Sequence, residues 1–454
     1  MKSIINGNGA RLGLSLVSAL GMLFFCGVSA SADQYTDAVQ TQLNTLFPGK
    51  NYQVNGTPLA PSNSLIAATK AAIGADKPHA HNYVGSVLGV RTDALTIATA
   101  MVTGAETAIG GIAADVTEAG LIAGSAAGLS GLTLTTKSAI TNAAITAVPN
   151  ALSNILTNVV PFIASADKPA FVTAVVSSKV VSVSPAKIAL LANIVAASTD
   201  TLAKKVAVSA AAIAATKTAA TLISQSVATL FSTGSDQVLF ARTLANSSAS
   251  ANAGAIAAGV SLANVSFSAR IVSQVVQANA TTLKSPDAIA GAVMKVVPSE
   301  YGCDIATELG ELINAGTLSA TTATSIATSL VSAPNVKADT GEITEIVSTL
   351  VSFIPSPVLN TKTILGLLAA VLKLNPNASD RVAGSVAQAV VNFYTTLTSV
   401  QRNALLDQIN TTILKASPTA LHAQVTANIN AVRNGTQTFP VGCVDSAETP
   451  VANF

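Results

Sequence analysis

The sequence predicts an all-α protein in which tandem short helices stack as an irregular α-solenoid or a large helical bundle. Three observations lead to this prediction. Half of the residues are apolar, with Ala prominent and aromatic residues at only 4%. Signals for the start of a helix recur along the chain, and apolar residues return at helical spacing between them. Because such short helices are marginal alone, each apolar face has to be covered by a neighbouring helix.

Residues 1–32 have the organisation of a secretory signal peptide. Lys2 and Arg11 give a basic start, residues 12–28 form a mostly apolar run, and Ala30-Ser31-Ala32 offers small residues for cleavage before Asp33. The alternative is an uncleaved anchor, which the short apolar run and the immediate cleavage site disfavour. We therefore expect an exported protein that is periplasmic, located at the cell surface or secreted.

The remaining chain is expected to have three parts. Residues 33–61 are predicted to hold one helix, ended by Pro48-Gly49, and a loop. Residues 62–433 form the predicted helical-repeat domain, in which the glycine-rich stretch 104–131 is expected to hold loose or tightly packed small helices. Asn434-Gly435 closes the repeats, and residues 434–454 are expected to be an irregular tail.

Residues 184–198 show the repeating pattern most clearly. Ser184 can cap the first free backbone N–H groups of a helix, and Pro185 fits the first helical position. Further Ser-Pro pairs at positions 285, 356 and 417 are expected to open other segments. The apolar stripe that follows consists of Ile188, Leu191 and Val195, widened by Leu190 and Ile194.

A longer sequence motif, which we call the echo, recurs in distant segments of the chain. Residues 287–293, DAIAGAV, return as residues 380–386, DRVAGSV. Such degenerate repetition is typical of stacked helical repeats, although one large irregular bundle is the alternative. Residues 132–138 and 171–183 are rich enough in Val, Thr and Ser to form strands, but Ala dominates the chain and no alternation is sustained.

Charge and hydropathy exclude several classes of partner. Charged residues make up 10% of the chain, and 24 Lys and Arg stand against 22 Asp and Glu. Removal of Lys2 and Arg11 with the signal peptide leaves a formally neutral protein, which argues against nucleic-acid binding. Every long apolar stretch of the mature chain is interrupted by polar residues, so no integral membrane span is predicted.

Two cysteines follow the predicted signal peptide, Cys303 and Cys443. An even number of cysteines in an exported protein indicates a disulfide, which would join the tail to the segment beginning near Tyr301. The alternative is a pair of buried free thiols. Neither cysteine has a histidine nearby in sequence that would indicate a catalytic thiol.

No catalytic, cofactor-binding or metal-binding residues are predicted. Four acidic residues recur at helical spacing: Glu300, Asp304, Glu308 and Glu311. This pattern is more typical of carboxylates that face solvent or interact with the positive N-terminal end of a helix than of a calcium site. No cysteine or carboxylate is spaced to complete a zinc site with the histidines, and phosphate-loop and Gly-x-Ser-x-Gly motifs are lacking. The histidines are His79, His81 and His422.

The leading functional hypothesis is an exported non-catalytic helical-repeat protein, a scaffold that binds another protein or copies of itself. The alternative is a carrier of lipid or another apolar ligand in a helical cavity. A third hypothesis is an enzyme whose site is assembled from distant residues, with His422 and the acids of residues 300–311 as its candidates.

Overall fold

A computed structural model describes residues 28–76, 79–94, 132–279 and 285–443, together with a few single positions between 96 and 128. The predicted all-α fold is confirmed in these residues: helices pack against neighbours in a series. The only β pairing among them is an isolated bridge between Gln53 and Leu59. Segments 132–138 and 171–183 are mainly helical, and in the second of them Val172, Val175 and Val176 are buried at helical spacing, where tertiary packing overrides β propensity. Most of the glycine-rich stretch 104–131, and therefore its predicted helices, lies outside the described residues.

The chain separates into two compact units. Unit 1 comprises the residues through Asp167 with residues 178–180, and unit 2 comprises residues 168–177 and those from Val181 onward. The helices of unit 1 whose bounds fall in the described residues are α1 (Val28–Leu46), α2 (Ser62–Ala75), α3 (Ala80–Val90), α4 (Leu134–Ala147) and α5 (Leu152–Val159).

In unit 1, α1 packs against α2 and α3, while α4 packs against α5. Among the described side chains of α1, Val39 and Leu43 are buried, whereas Leu46 at its end is 45% exposed. The predicted cleavage site lies within the first turns of α1, so cleavage before Asp33 would leave a helix that ends at Leu46.

Polar side chains hold the connection between α1 and α2. Gln40 donates to the carbonyl of Tyr52 at 2.7 Å and accepts from the backbone N–H of Val54 at 2.8 Å. Buried Arg91 donates to the carbonyl of Ala60 at 3.0 Å and forms an ion pair with Asp93 at 2.7 Å. This hydrogen bond from the guanidinium lowers the pKa of Asp93.

Unit 2 begins with α6 (Lys168–Val176), and the four-residue helix α7 (Lys179–Ser182) crosses the boundary between the units. The following helices are α8 (Pro185–Ala197), α9 (Leu202–Ala215), α10 (Ala220–Ala228), α11 (Gly234–Ala245), α12 (Ala253–Ala263), α13 (Ser268–Asn279), α14 (Pro286–Met294), α15 (Gly302–Asn314), α16 (Thr322–Val331), α17 (Thr340–Phe353), α18 (Thr361–Leu374), α19 (Ser379–Phe393), α20 (Ser399–Ala416) and α21 (His422–Arg433).

The helices of unit 2 form two rows because, from α10 onward, each packs mainly against a helix two places along the chain. The first row runs α8, α10, α12, α14, α16, α18, α20, and the second runs α9, α11, α13, α15, α17, α19, α21. The helix α6 joins the second row by packing on α9. The structural repeat is therefore a helix pair: α10, α12 and α14 begin at Ala220, Ala253 and Pro286, 33 residues apart.

Small residues allow close approach between successive helices of a row. A Cβ placed on Gly259 of α12 would overlap the backbone of Thr221 in α10, and one on Gly291 of α14 would overlap Ser329 in α16. The apolar side chains of both rows then form a core of Val, Ile, Leu and Ala that is almost completely removed from solvent. This close packing explains why so few aromatic residues are needed.

The predicted helix starts are only partly realised. Ser184 caps α8 by accepting from the N–H of Lys187 at 3.4 Å, as expected. Ser285 precedes α14 but makes no side-chain cap, and Ser356 has a positive φ of 48° in a turn five residues before α18. Leu190 is 37% exposed, because the stripe formed by Ile188, Leu191 and Val195 already fills the interface of α8.

No single helix in the described residues has the length and apolar character needed to cross a bilayer. In unit 1, the segments Leu134–Thr146 and Pro149–Phe162 meet that requirement only together, and they are bent by 120° relative to each other.

Candidate functional site

The described C-terminal residues run back over the second row of helices. We call residues 434–443 the strap. After α21 the strap meets α19, where the N–H of Phe439 donates to Gln388 Oε1 at 3.4 Å. It then meets α17, where the N–H of Gly442 donates to Ser348 Oγ at 3.3 Å. It reaches α15 at Cys443, so the strap crosses three neighbouring helices within five residues.

The strap is joined to α15 by a disulfide between Cys303 and Cys443, whose Cα atoms are 5.5 Å apart. The bond closes a loop with a sequence separation of 140 residues. In the chain-entropy model a loop of that length stabilises the folded state by roughly 5 kcal/mol. Cys303 is 1% exposed, whereas Cys443 is half-buried.

The strap packs against a glycine of α19. A Cβ on Gly384 would overlap the ring of Phe439, so only glycine allows the ring to approach the helix this closely. Residues 382–390 of α19 are all buried, although a helix at a surface normally keeps one solvated face. Contacts of the strap with Gly384 and Gln388 account for part of this burial.

A buried carboxyl group lies at the end of α15 that carries Cys303. Glu342 of α17 is 8% exposed, and its Oε1 accepts the backbone N–H of Cys303 at 2.6 Å. Burial raises the pKa of Glu342 to about 8, and the hydrogen bond from Cys303 only partly opposes this. A carboxyl oxygen can accept this bond in its protonated form, so the group caps α15 without a full buried charge.

Gly302 lies beneath this carboxyl group, and its lack of a side chain leaves room for Glu342 and Ile346. A Cβ on Gly302 would lie 2.7 Å from Glu342 Oε1 and 2.9 Å from Ile346 Cδ1. The residue that caps α17 is Asp339, whose Oδ1 accepts from the N–H groups of Gly341 and Glu342 at 3.0 Å each.

The acidic stripe predicted on residues 300–311 is divided between different environments. Asp304 is 8% exposed in the first turn of α15, whereas Glu300 and Glu311 are exposed. Glu308, expected to be solvated, is half-buried; burial raises its pKa, and a hydrogen bond with Ser273 opposes this. Among the described residues, no group of three or more His, Cys, Asp or Glu side chains is placed to hold a metal ion.

The structure does not bring the predicted histidines to this site. His79 belongs to unit 1, where its Nδ1 lies 2.9 Å from Asp76 Oδ1, and the side chain of His81 lies outside the described part of the chain. His422 opens α21, and its Nε2 lies 3.2 Å from the carbonyl oxygen of Ser417. In the second row, α17 and α19 separate His422 from the acids of α15.

Four of the exposed large apolar side chains of unit 2 lie in or directly beside two connections, α17–α18 and α19–α20. Tyr394 in the second connection joins the two by donating to the carbonyls of Val351 and Ile354 at the end of α17. Burial raises the pKa of Tyr394, which therefore stays a donor. We call this group the apolar edge; its members and exposed fractions are Val358 (56%), Leu359 (84%), Phe393 (55%) and Val400 (77%).

No protein-family model matches this chain, and no curated protein shows significant sequence similarity to it.

Proposed function

We propose that the protein is an exported, non-catalytic helical-repeat scaffold that binds another protein, or a second copy of itself, through the apolar edge. Export is inferred from the order of charge, apolar run and small residues in positions 1–32. The binding role is inferred from the two rows of stacked helices, which hold neighbouring connections in a fixed order.

The observation that carries this proposal is the contrast between the apolar edge and the polar helix faces. Many Ser and Thr hydroxyls at the helix surfaces are already bonded to carbonyls of their own helix, as Thr243 is to Leu239 and Thr411 to Asp407. These hydroxyls are therefore poor anchors. Leu359 and Val400 instead offer apolar area that a partner would remove from water, and interface cores are typically built from such area.

The experiment compares three forms of the tagged full-length chain in the producing cells: wild type, the double variant Leu359→Ser with Phe393→Ser, and Val183→Ser. Val183 is 79% exposed in a turn before α8, away from the apolar edge, so it is a matched control. The cells and medium are treated with a lysine-reactive crosslinker, and adducts are separated by mass.

We expect a discrete adduct of at least the mass of a second chain in wild type and Val183→Ser. The double variant should lose at least nine-tenths of this adduct while keeping the helical circular dichroism signal. A wild-type chain that is monomeric in every fraction, or an adduct that survives the double substitution, contradicts the proposal.

The carrier hypothesis is separated from the scaffold by native mass spectrometry of freshly purified protein. A carrier would show a stoichiometric lipid or other apolar mass that organic solvent removes. The scaffold proposal expects the mass of the mature chain, beginning at Asp33 with the disulfide formed, or of its defined oligomer.

A further inference from the structure

We propose that the Cys303–Cys443 disulfide is a redox latch with a fixed direction: an external dithiol attacks Cys443, Cys303 is the leaving group, and the released strap uncovers α15, α17 and α19. The inference does not depend on the scaffold proposal. It rests on the unequal environments of the two sulfurs and on the small number of other contacts that hold the strap.

Access decides which sulfur is attacked. Cys303 is 1% exposed within the first turn of α15, so an external thiolate cannot approach its Sγ. Cys443 is half-buried on the strap and is reached from solvent. Thiol–disulfide exchange needs a direct approach to the sulfur that is attacked, so the mixed disulfide forms on Cys443.

The surroundings of Cys303 suit a leaving group. The hydroxyl of Thr349 lies 3.3 Å from Cys303 Sγ and can donate a hydrogen bond to the departing thiolate. The first thiolate of the dithiol bonds to Cys443 Sγ, and the electron pair of the broken S–S bond passes to Cys303. The second thiol then displaces Cys443, so that the dithiol leaves as a disulfide and two protons end on the two cysteines.

Without the latch, few interactions hold the strap. On α15, α17 and α19, the N–H groups of Phe439 and Gly442 donate to side chains at 3.4 and 3.3 Å, the Phe439 ring packs on Gly384, and Thr307 Oγ1 lies 3.5 Å from Cys443 Sγ. The start of the strap is bonded to the end of α21, where the N–H of Thr436 donates to the carbonyl of Ala431 at 2.8 Å. Each such hydrogen bond contributes only about 1 kcal/mol net. Residues 434–438 are exposed, and Gly435, with a φ of +67°, ends α21 by donating its N–H to the carbonyl of Val432 at 3.1 Å.

Release would uncover side chains that the strap contacts. Ser348, Gln388 and Gly384 all lie on the surface where the strap rests and are buried with it in place. The helices beneath keep their packing within the row, because α15, α17 and α19 contact one another directly. The latch therefore changes the surface of the second row without unfolding it.

The first test of the latch locates the mixed disulfide. The purified mature chain is exposed briefly to glutathione, quenched with acid and digested, and the peptides carrying Cys303 and Cys443 are compared by mass spectrometry. We expect at least a tenfold excess of the glutathione adduct on Cys443. An equal or greater amount on Cys303, or an oxidised chain in which the two cysteines are not joined, overturns the proposal.

The second test measures release after complete reduction by dithiothreitol. Hydrogen exchange of the strap amides should become at least tenfold faster than in the oxidised chain, with an unchanged helical circular dichroism signal. Cys303, which has no free thiol while the disulfide is intact, should then be alkylated by iodoacetamide. The matched variant Cys443→Ser should show the fast exchange without any reductant. A strap that stays protected, or a Cys303 that stays unreactive after reduction, contradicts the latch.

Discussion

At the two ends of the second row, ionisable side chains satisfy backbone groups at opposite ends of helices: lysines at one end of the row and a carboxyl group at the other. Near the start of the row, two lysines donate to carbonyls at the C-terminal end of α8. Lys168 donates to the carbonyl of Ser198 at 2.7 Å, and Lys205 donates to those of Ala196 and Thr199 at 2.9 and 2.8 Å. Near the strap, Glu342 accepts an N–H at the N-terminal end of α15. Both arrangements satisfy backbone groups that a helix leaves unpaired at its ends.

The two ends of the second row differ in how far the outer faces of their helices are exposed to solvent. The helix α11 keeps Leu239 and Arg242 exposed, whereas residues 382–390 of α19 are buried beneath the strap and neighbouring helices. Burial lowers the pKa values of Lys168 and Lys205, and it raises that of Glu342, because water is excluded from both places. The second row therefore has a solvent-exposed helix face near α11 and a covered helix face near α19. We call these two regions the open end and the closed end.

The largest expected effect comes from removing the titratable carboxyl group at the closed end. The unfolded chain loses the Glu342 proton near pH 4.5, but the folded chain keeps it until about pH 8, so this group lowers the free energy of unfolding as the pH rises through that window. Glu342→Gln keeps an acceptor for Cys303 and cannot ionise.

The variant and wild type should unfold in urea with equal free energies near pH 4, and the variant should be more stable above pH 8. One pKa unit corresponds to about 1.4 kcal/mol, which sets an upper limit of roughly 5 kcal/mol on the gain. The control Glu311→Gln removes an exposed carboxyl group of α15 and should not reproduce the gain seen with Glu342→Gln. A gain that fails to grow between pH 4 and 9 contradicts a buried, protonated Glu342.

A smaller effect is expected from adding one methyl group at the closed end. The Cβ of Gly302→Ala would lie 2.7 Å from Glu342 Oε1, so either Glu342 or Ile346 has to move, at a cost of about 1–3 kcal/mol in the free energy of unfolding. Gly366 of α18 has no atom within 4 Å of such a Cβ. Gly366→Ala should therefore stabilise by about 0.5–1 kcal/mol, and urea unfolding of both variants distinguishes crowded from open positions. Equal effects of the two substitutions would argue against this packing.

Much of the fold was predictable because it depends on local patterns. The stripe of Ile188, Leu191 and Val195 predicts the buried face of α8, and Ser184 predicts its start. The arrangement of helix pairs in two rows was harder to predict from the sequence. The echo between residues 287–293 and 380–386 joins α14 of the first row to α19 of the second, so it repeats at the level of one helix and conceals the helix pair.

The candidate site was predictable only in part, because its contacts are long-range. Cysteine count identifies Cys303 and Cys443 as a candidate pair, but no spacing indicates that Phe439 rests on Gly384 or that Glu342 reaches α15. A partial signal exists: Gly302 and Gly384 both lie in the first two turns of helices, where glycine is unfavourable without a packing reason. The apolar edge gave no signal, because the exposure of an apolar residue in a turn or at a helix end cannot be read from its type.

Hydrogen exchange of the oxidised mature chain tests the contrast between the open and closed ends most directly. The account predicts that backbone amides of residues 382–390 in α19 exchange at least tenfold more slowly than those of residues 237–244 in α11, since the strap and disulfide seal only the closed end. Equal rates in the two helices, or faster exchange in α19, would contradict it.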